Sequence, residues 1–321
     1  MMKRFLSLLL AAVLVCSLAG CGGAPAQQDE ARLRVVATAF PFYDWVRNVV
    51  GDVPGVELTW LMDTGVDPHS FQPSVDDLLK VTNSDVFVFV GGESDQWTAD
   101  AVTQMADPNA CAVPLLTVIG LAAVEEEDVP GAEPEKEETP GALDEHIWMS
   151  LKNAAVCVQA IADVMADRDP DHADEYRANA KAYIAQLNAL DADYAQAVAE
   201  SPLHTIIVAD RFPFRYLAED YGLDYFAAFS GCSAETEASF ETVLTLAKQT
   251  DALGVPVLLT IDGGRESICD AVRDAAKSDP AVRVLNSLQT VTADDAAAGM
   301  TYLSVMTDNL DVLKEALAWH S

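Results

Sequence analysis

The sequence predicts an α/β fold in which two parallel-sheet lobes are joined by a single long helix. Short apolar segments rich in Val and Leu alternate with stretches of helical spacing early in the chain and again near its end. This rhythm is typical of parallel sheets that are covered by helices. Between the two alternating regions, apolar residues recur at three- and four-residue steps without an interior glycine or proline, which predicts a helix long enough to act as a strut.

The N-terminal alternating region begins the predicted first lobe. Ser74 is a candidate N-cap for one of its helices, with Asp77 three residues later. The predicted strands are Leu33–Ala37, Val56–Met62 and Val86–Val90, and the predicted helices are Phe42–Val50 and Val75–Thr82.

The strut and the C-terminal region follow. The helical pattern from Asp171 to Ala199 would span about 43 Å at 1.5 Å per residue. Beyond it, strands are predicted at Thr205–Ala209, Val255–Ile261 and Arg283–Leu285, and helices at Phe240–Leu253, Glu266–Lys277 and Met306–Trp319.

The N-terminus indicates export. Lys3 and Arg4 precede an apolar run that is too short to span a bilayer, and Leu18-Ala19-Gly20-Cys21 then resembles the lipobox of bacterial lipoproteins. We expect lipidation at Cys21 and an extracytoplasmic protein anchored to the cell membrane; an ordinary secretory signal with an incidental cysteine is the alternative. The predicted organisation is a signal peptide (1–20), a flexible tether (21–31), an N-terminal α/β lobe (32–170), a linking helix (171–200) and a C-terminal α/β lobe (201–321).

The charge of the chain is strongly negative, with a formal net value of −32 at pH 7. Such a surface repels nucleic acid and attracts cations, so no nucleic-acid partner is expected. The acidic residues concentrate in a predicted loop at 123–143, where eight of the fourteen residues of Glu125–Glu138 are acidic. The simple interpretation of this loop is a solvated mobile insertion, and the more specific alternative is that it captures cations weakly.

The cysteines of the mature chain are widely spaced. Cys111, Cys157, Cys232 and Cys269 include no CxxC pair, so a thiolate zinc site is only weakly indicated. Buried free thiols are the expectation, although disulfides can form outside the cytoplasm.

Two of the five histidines lie in loops suited to metal binding. His69 follows Pro68, whose ring restricts the backbone, and Asp67 is a local candidate to accept from its second ring nitrogen. His146 follows the acidic loop and precedes Trp148. Each histidine could instead be a structural residue, a surface imidazole in a turn or a ring packed at a helix start.

Carboxylates that follow predicted strands are further candidates, because ligands of open α/β sheets bind beyond the carboxyl ends of the strands. Asp210 and Asp262 occupy such positions, and Glu266 is the alternate oxygen donor. Arg211 offers a structural explanation for Asp210 as an ion-pair partner. No GxSxG, HExxH or Walker A motif is present, so no enzyme is indicated.

An ordered set of motifs resembles one family over nearly all of the mature length. The chain is similar to the zinc/manganese substrate-binding lipoproteins of bacterial ABC importers. The segments that carry the resemblance are Thr38-Ala39-Phe40-Pro41-Phe42-Tyr43-Asp44, Gly65-Val66-Asp67-Pro68-His69-Ser70-Phe71-Gln72-Pro73-Ser74, Asp144-Glu145-His146-Ile147-Trp148, Tyr216-Leu217-Ala218-Glu219-Asp220-Tyr221-Gly222-Leu223, Glu237-Ala238-Ser239, Tyr302-Leu303-Ser304-Val305-Met306, Asn309-Leu310 and Leu313.

The resemblance implies a metal held in the cleft between the lobes, with His69 and His146 as ligands. The third family ligand, a His or Glu, lies five residues before the tyrosine that matches Tyr216. That position is Arg211, which cannot bind a cation, and a shift of one residue would place Asp210 there. For the fourth ligand, a carboxylate after a strand, the expectation is Asp262, with Glu266 as the alternate.

The function implied by the resemblance is capture of one Zn²⁺ or Mn²⁺ by a monomer, and its delivery to the permease of the cognate ABC importer. The resemblance does not choose between the two metals. A secreted metalloenzyme that uses the same site, with Asp210 or Glu266 as general base, is the alternative. A lipid-anchored surface adhesin is compatible with metal binding. The acidic loop lacks the histidines that zinc-binding members often carry there.

Overall fold

The computed structural model describes residues 33–132, 141–233 and 237–319. The signal peptide, the tether, Cys21 and the centre of the acidic loop lie outside these described residues. The predicted architecture is confirmed, since two four-stranded parallel sheets are separated along the chain by one long helix.

The first sheet has the strand order β2-β1-β3-β4, and all of its pairings are parallel. Helices cover it because the crossovers between parallel strands require a connecting segment that returns over one face. Its elements are β1 (Leu33–Ala37), α1 (Phe40–Val50), β2 (Val56–Trp60), α2 (Val75–Thr82), β3 (Val86–Phe89), α3 (Thr98–Thr103), β4 (Cys111–Pro114) and α4 (Leu115–Ile119).

The second sheet repeats this arrangement with the order β6-β5-β7-β8. Two helices, α5 (Leu151–Arg168) and α6 (Ala173–Glu200), come before it. Its own elements and the C-terminal helices are β5 (Thr205–Phe212), α7 (Arg215–Tyr221), β6 (Asp224–Ser230), α8 (Phe240–Leu253), β7 (Val257–Thr260), α9 (Glu266–Ala275), β8 (Ala281–Val284), α10 (Ala293–Ala297) and α11 (Tyr302–Ala316).

Local signals place several helix starts where the sequence predicts them. The Ser74 hydroxyl accepts from the Asp77 N–H while the Asp77 carboxylate accepts from Ser74, which makes a capping box at the start of α2. Ser150 caps α5 more simply, with its hydroxyl accepting from the Asn153 N–H. The long helix α6 begins after a 3₁₀ turn at Pro170–His172, two residues later than predicted.

One continuous apolar core connects the two sheets. It includes Val35 of β1, Trp148, Leu187 of α6, Val208 of β5 and Leu313 of α11. Smaller clusters lie on the outer face of each sheet. The halves are therefore joined by buried apolar surface in addition to the covalent link.

Polar contacts also cross between the halves. The backbone N–H of Tyr302, at the start of α11, donates to the buried Asp44 carboxylate of α1 at 3.0 Å. The Tyr302 hydroxyl donates to the Trp148 carbonyl at 2.6 Å, and the Trp148 indole donates to the Ser287 carbonyl at 2.8 Å. These bonds hold the C-terminal helix and the segment after β8 against the N-terminal half.

The described flanks of the acidic loop contact each other and the second sheet. Glu126 donates its N–H to Ala142, and Ala227 of β6 donates its N–H to Pro130. Backbone groups of these flanks thus pair with the edge strand β6 and with each other, while the mobility predicted for Glu125–Glu138 stays a prediction. Within the described ranges, no helix combines the length and the apolar composition that crossing a membrane requires.

Candidate metal centre

The His69 loop is held by its neighbours. Asp67 accepts the backbone N–H of His69 at 2.9 Å and receives the Arg211 guanidinium at 2.6 Å. The carboxylate of Asp67 therefore anchors the loop backbone and links it to β5, instead of orienting the ring as the sequence suggests. The ring nitrogen Nδ1 of His69 faces Glu145, whose Oε2 lies 4.0 Å away.

His146 is fully buried and is oriented by Asp144. The Asp144 Oδ1 atom accepts from the His146 backbone N–H at 2.8 Å and lies 3.0 Å from its ring Nδ1. The Tyr216 hydroxyl in turn donates to the Asp144 carbonyl at 2.8 Å. When the proton of the neutral ring sits on Nδ1 and donates a hydrogen bond to the Asp144 carboxylate, the lone pair on Nε2 is free to bind a cation.

The two imidazoles face each other through their Nε2 atoms, which lie 3.1 Å apart. Two nitrogens that share one tetrahedral zinc, each at about 2.0–2.1 Å, would be separated by about 3.3 Å. The observed spacing is therefore close to one edge of a zinc coordination tetrahedron. These are the two histidines that the sequence predicts as ligands, although they are 77 residues apart.

The protonation state of His69 favours metal binding. Burial and the neighbouring His146 lower the pKa of His69 to about 4. Burial also disfavours the charged form of His146, but the carboxylates of Asp144, Glu145 and Glu126 together outweigh burial and raise the pKa of His146. Two cationic rings cannot occupy this space together, so at neutral pH His69 is neutral and has a lone pair to offer.

Cys232 is the third ligand-type residue at this point. Among the described residues, one cluster brings metal-binding atoms from three such side chains within 4.8 Å of one another, and its members are His69, His146 and Cys232. Cys232 is half-buried just beyond β6, and its thiol forms a hydrogen bond with the Glu126 side chain. Burial raises the pKa of this thiol well above its ordinary value, with a further contribution from Glu126.

Gln289 also reaches the histidine pair and was not singled out from the sequence. Its amide nitrogen lies 3.2 Å from His146 Nε2, and its carbonyl oxygen is buried with no hydrogen-bond partner among the described residues. Leu288, immediately before it, has a left-handed φ of 64°. This conformation costs on the order of 1 kcal/mol for a residue other than glycine. The chain thus accepts local strain where Gln289 is placed.

Asp262 holds the Gln289 turn, and the structure does not bring it to the histidines. Its two oxygens accept from the backbone and hydroxyl groups of Ser287 and Thr290. Four donors occupy the carboxylate, so it positions the turn after β8. The alternate, Glu266, lines a separate cavity of about 430 Å³ together with Asp262.

Asp210 also lies outside the three-residue cluster. It falls within β5, at the shift of strand register after Val208, instead of following the strand as predicted. Its Oδ2 accepts from the Thr260 hydroxyl and the Arg265 N–H, each at 3.0 Å. The carboxylate therefore ties β5 to the segment after β7, while Arg211 turns away to Asp67.

Two cavities meet at His69 and Cys232. The larger, of about 320 Å³, contains Asp210 and Arg211 in its wall. The smaller, of about 230 Å³, is lined by Glu93, Glu126 and Glu145. A cation that approaches through the smaller cavity would pass three acidic side chains before it meets the histidine pair.

Comparison with known proteins also relates the chain to metal-binding proteins. The family described as zinc-uptake complex component A, periplasmic, matches residues 35–316. The zinc-binding lipoprotein AdcA of Streptococcus pneumoniae serotype 4 is 29% identical over 316 residues, which cover 98% of this chain and 61% of that relative. The chain thus spans about three fifths of the AdcA length. The high-affinity zinc uptake system protein ZnuA of Bacillus subtilis (strain 168) is 27% identical over 321 residues, 99% of each protein.

The fold agrees with a solved structure from the same group. The Zn(II)-bound ZnuA-like domain of Streptococcus pneumoniae AdcA matches with a TM-score of 0.71 at 26% identity, covering 89% of this chain and 98% of that one. Since the family match extends over most of the chain and the fold agrees, this protein belongs to the family of periplasmic component A proteins of zinc-uptake complexes.

Proposed function

We propose that the protein captures one divalent transition metal ion, zinc, outside the cytoplasm and delivers it to the permease of an ABC importer. The observation that carries the proposal is the pair of Nε2 atoms of His69 and His146, 3.1 Å apart and supplied by distant parts of the chain. The relatives whose names refer to zinc binding and zinc uptake support the choice of cargo.

The geometry favours capture over hydrolysis. A general base must approach the metal-bound water, within hydrogen-bond reach or through one further water. The Asp210 carboxylate is engaged by Thr260 and Arg265, and Glu266 lines a cavity that does not include His69. Asp210 lines the cavity that opens on His69, but the engagement of its carboxylate and the separate position of Glu266 support capture over hydrolysis.

The acidic cavity provides a route for capture. Glu93, Glu126 and Glu145 line the space that opens on His69 and Cys232, next to the acidic loop. Carboxylates attract and pass on divalent cations, whereas the imidazoles supply the ligands of higher affinity. In this proposal the acidic groups raise the local cation concentration, and the histidine pair retains the ion.

Membrane attachment through Cys21 belongs to the same proposal. Lipidation there would keep the folded part near the membrane and the permease. The name of the AdcA relative, a zinc-binding lipoprotein, supports this arrangement.

The first expected result is one tightly bound zinc per chain. Protein purified without chelator should contain zinc by elemental mass spectrometry, and the apo protein should take up one equivalent in a calorimetric titration. At a free zinc concentration of about 1,000 times Kd, binding should stabilise the fold by about 4 kcal/mol. Zinc binding no tighter than micromolar would contradict the proposal.

The second expected result concerns Asp144, which orients the His146 ring. The substitution Asp144→Asn keeps the shape of the side chain but removes the charge that favours Nδ1–H and the exposed Nε2 lone pair. We expect zinc affinity to fall by about 10- to 100-fold. Asp169→Asn is a matched control, because Asp169 makes a similar contact to His172, 3.1 Å from its Nδ1, away from the site. Equal affinities in both variants would show that Asp144 does not act on the metal.

A further inference from the structure

The site lacks a donor where the family resemblance implies one. Arg211 occupies that position, and its guanidinium pairs with Asp67 at 2.6 Å. It carries a permanent positive charge and has no lone pair for a cation. Asp210, one residue earlier, is held by Thr260 and Arg265. The strand β5 therefore contributes no ligand to the histidine pair.

The neighbouring strand supplies a different atom. β6 pairs in parallel with β5, with Phe212 opposite Ser230, so the residues after Ser230 emerge beside the end of β5. Gly231 passes so close to His146 that an added Cβ would lie 2.9 Å from its Cε1 atom. Because only glycine fits there, the next residue, Cys232, is brought next to the two imidazoles.

We propose that Cys232 is the third metal ligand, as a thiolate, and that its sulfur makes the site selective for thiophilic ions such as Zn²⁺ over Mn²⁺. This inference rests on the proposed function, since it requires that His69 and His146 bind a metal. It goes further by assigning a residue to the coordination sphere and by choosing the class of cargo.

The required movement is small. In a tetrahedral site with zinc–nitrogen distances of about 2.05 Å and a zinc–sulfur distance of about 2.3 Å, sulfur and nitrogen are separated by about 3.5 Å. The sulfur already lies within 4.8 Å of both imidazoles. To reach the sulfur–nitrogen distance of a zinc site, the Cys232 sulfur must move by about 1 Å, which a rotation about a side-chain torsion can provide.

Ligation replaces the S–H bond with a metal–sulfur bond. The proton passes to the Glu126 carboxylate, which already accepts the thiol hydrogen bond, and from there to solvent through the acidic cavity. Metal binding thus releases a proton. No oxidant or reductant takes part.

A second buried group points to the same centre. Gln289 is 5% exposed, contacts His146 Nε2, and has a carbonyl oxygen with no hydrogen-bond partner among the described residues. An unpaired buried oxygen is costly unless something at the site compensates it. The Gln289 amide therefore lies beside the proposed centre and carries a buried polar atom that no described group of the protein satisfies.

The sulfur decides between the metals on chemical grounds. Thiolate ligands select borderline and soft ions, and Mn²⁺ prefers oxygen. A site with two imidazoles and one thiolate therefore binds zinc far better than manganese. The carboxylates that line the acidic cavity, Glu93, Glu126 and Glu145, offer only oxygen and would show no such preference by themselves.

Cobalt substitution tests the proposal directly. Co²⁺ bound by a thiolate gives a strong near-ultraviolet charge-transfer absorption that nitrogen and oxygen ligands do not produce. Wild-type protein and the control Cys111→Ser should show this band with one equivalent of Co²⁺, whereas Cys232→Ser should lose it. Cys232→Ser should also bind zinc at least about tenfold more weakly. Cys232→Asp, which provides oxygen, should bring the zinc and manganese affinities closer together.

The possible outcomes separate the two proposals. If the wild type binds Co²⁺ and Zn²⁺ through His69 and His146 but the band is absent, or persists in Cys232→Ser, the thiolate assignment is wrong while metal capture stands. If the wild type binds neither ion, metal capture itself is wrong. Thermal unfolding of each apo variant, with Cys232→Ala as a second replacement, shows whether weaker binding follows from a damaged fold.

Discussion

The substitution His146→Ala is expected to abolish measurable zinc retention, with affinity reduced by more than about 100-fold. This exceeds the usual loss on removing an outer partner of a ligand, because the substitution removes one metal bond outright. It also leaves Asp144 buried without its imidazole partner, 3.0 Å away in the wild type. Competition against a chelator of known affinity measures the effect.

The matched control for this substitution is His172→Ala. His172 contacts Asp169 through the same ring nitrogen, at 3.1 Å, but lies at the start of the long helix α6. Its removal should leave zinc affinity unchanged. A His146→Ala protein that binds zinc like the control would place the metal elsewhere and would overturn the proposed site.

The substitution Asp44→Ala is expected to destabilise the fold by about 3 kcal/mol. Asp44 is fully buried and pairs with Arg47, and its carboxylate accepts from Tyr302 N at 3.0 Å and from the Tyr183 hydroxyl at 3.4 Å. Removing the carboxylate leaves buried donors unpaired, at about 1–3 kcal/mol each before relaxation. Denaturant unfolding of the apo protein, monitored by tryptophan fluorescence, measures the loss.

Asp76→Ala is the control for Asp44→Ala. Asp76 also pairs with a basic side chain, Lys80 at 2.8 Å, but its own side chain is 76% exposed. Exposed pairs contribute about 0–1 kcal/mol, so this variant should unfold nearly as the wild type does. Similar losses in the two variants would show that the bond between Asp44 and the C-terminal helix does not stabilise the fold.

Periodicity alone was sufficient for most of the fold. The strand Leu33–Ala37 and the helices Val75–Thr82 and Phe240–Leu253 have the predicted bounds. These segments have clear signals, since a buried parallel strand is a run of apolar residues and a capped amphipathic helix shows both its spacing and its start.

Strands with weaker patterns were not predicted. β4 (Cys111–Pro114) has four residues and ends in a proline, and β6 (Asp224–Ser230) mixes aromatic residues with Ala and Ser. Both are edge strands, each paired with a single neighbour. The preference of such a segment for the extended conformation depends largely on the strand it pairs with, more than on its own residues. Missing β6 also concealed Cys232, because the sequence did not show that a strand end carries it toward the histidines.

The two carboxylates show that position along the chain is not sufficient to identify a metal ligand. Asp210 and Asp262 lie near the carboxyl ends of strands, as ligands of α/β sheets do, yet the structure engages both in hydrogen bonds that hold turns. Closeness to a strand end places a residue at the correct edge of the sheet. It does not determine whether the side chain faces the cavity or its own backbone.

By itself, the sequence determined the α/β class, the long helix and the two imidazoles of the candidate site, because local spacing and ordered motifs encode these features. Only the tertiary structure decided what stands beside His69 and His146. Cys232 and Gln289 reach them from segments more than eighty residues away along the chain, through the pairing of β5 with β6 and the turn held by Asp262. Such neighbours depend on strand register and side-chain direction, which have no local signature in the sequence.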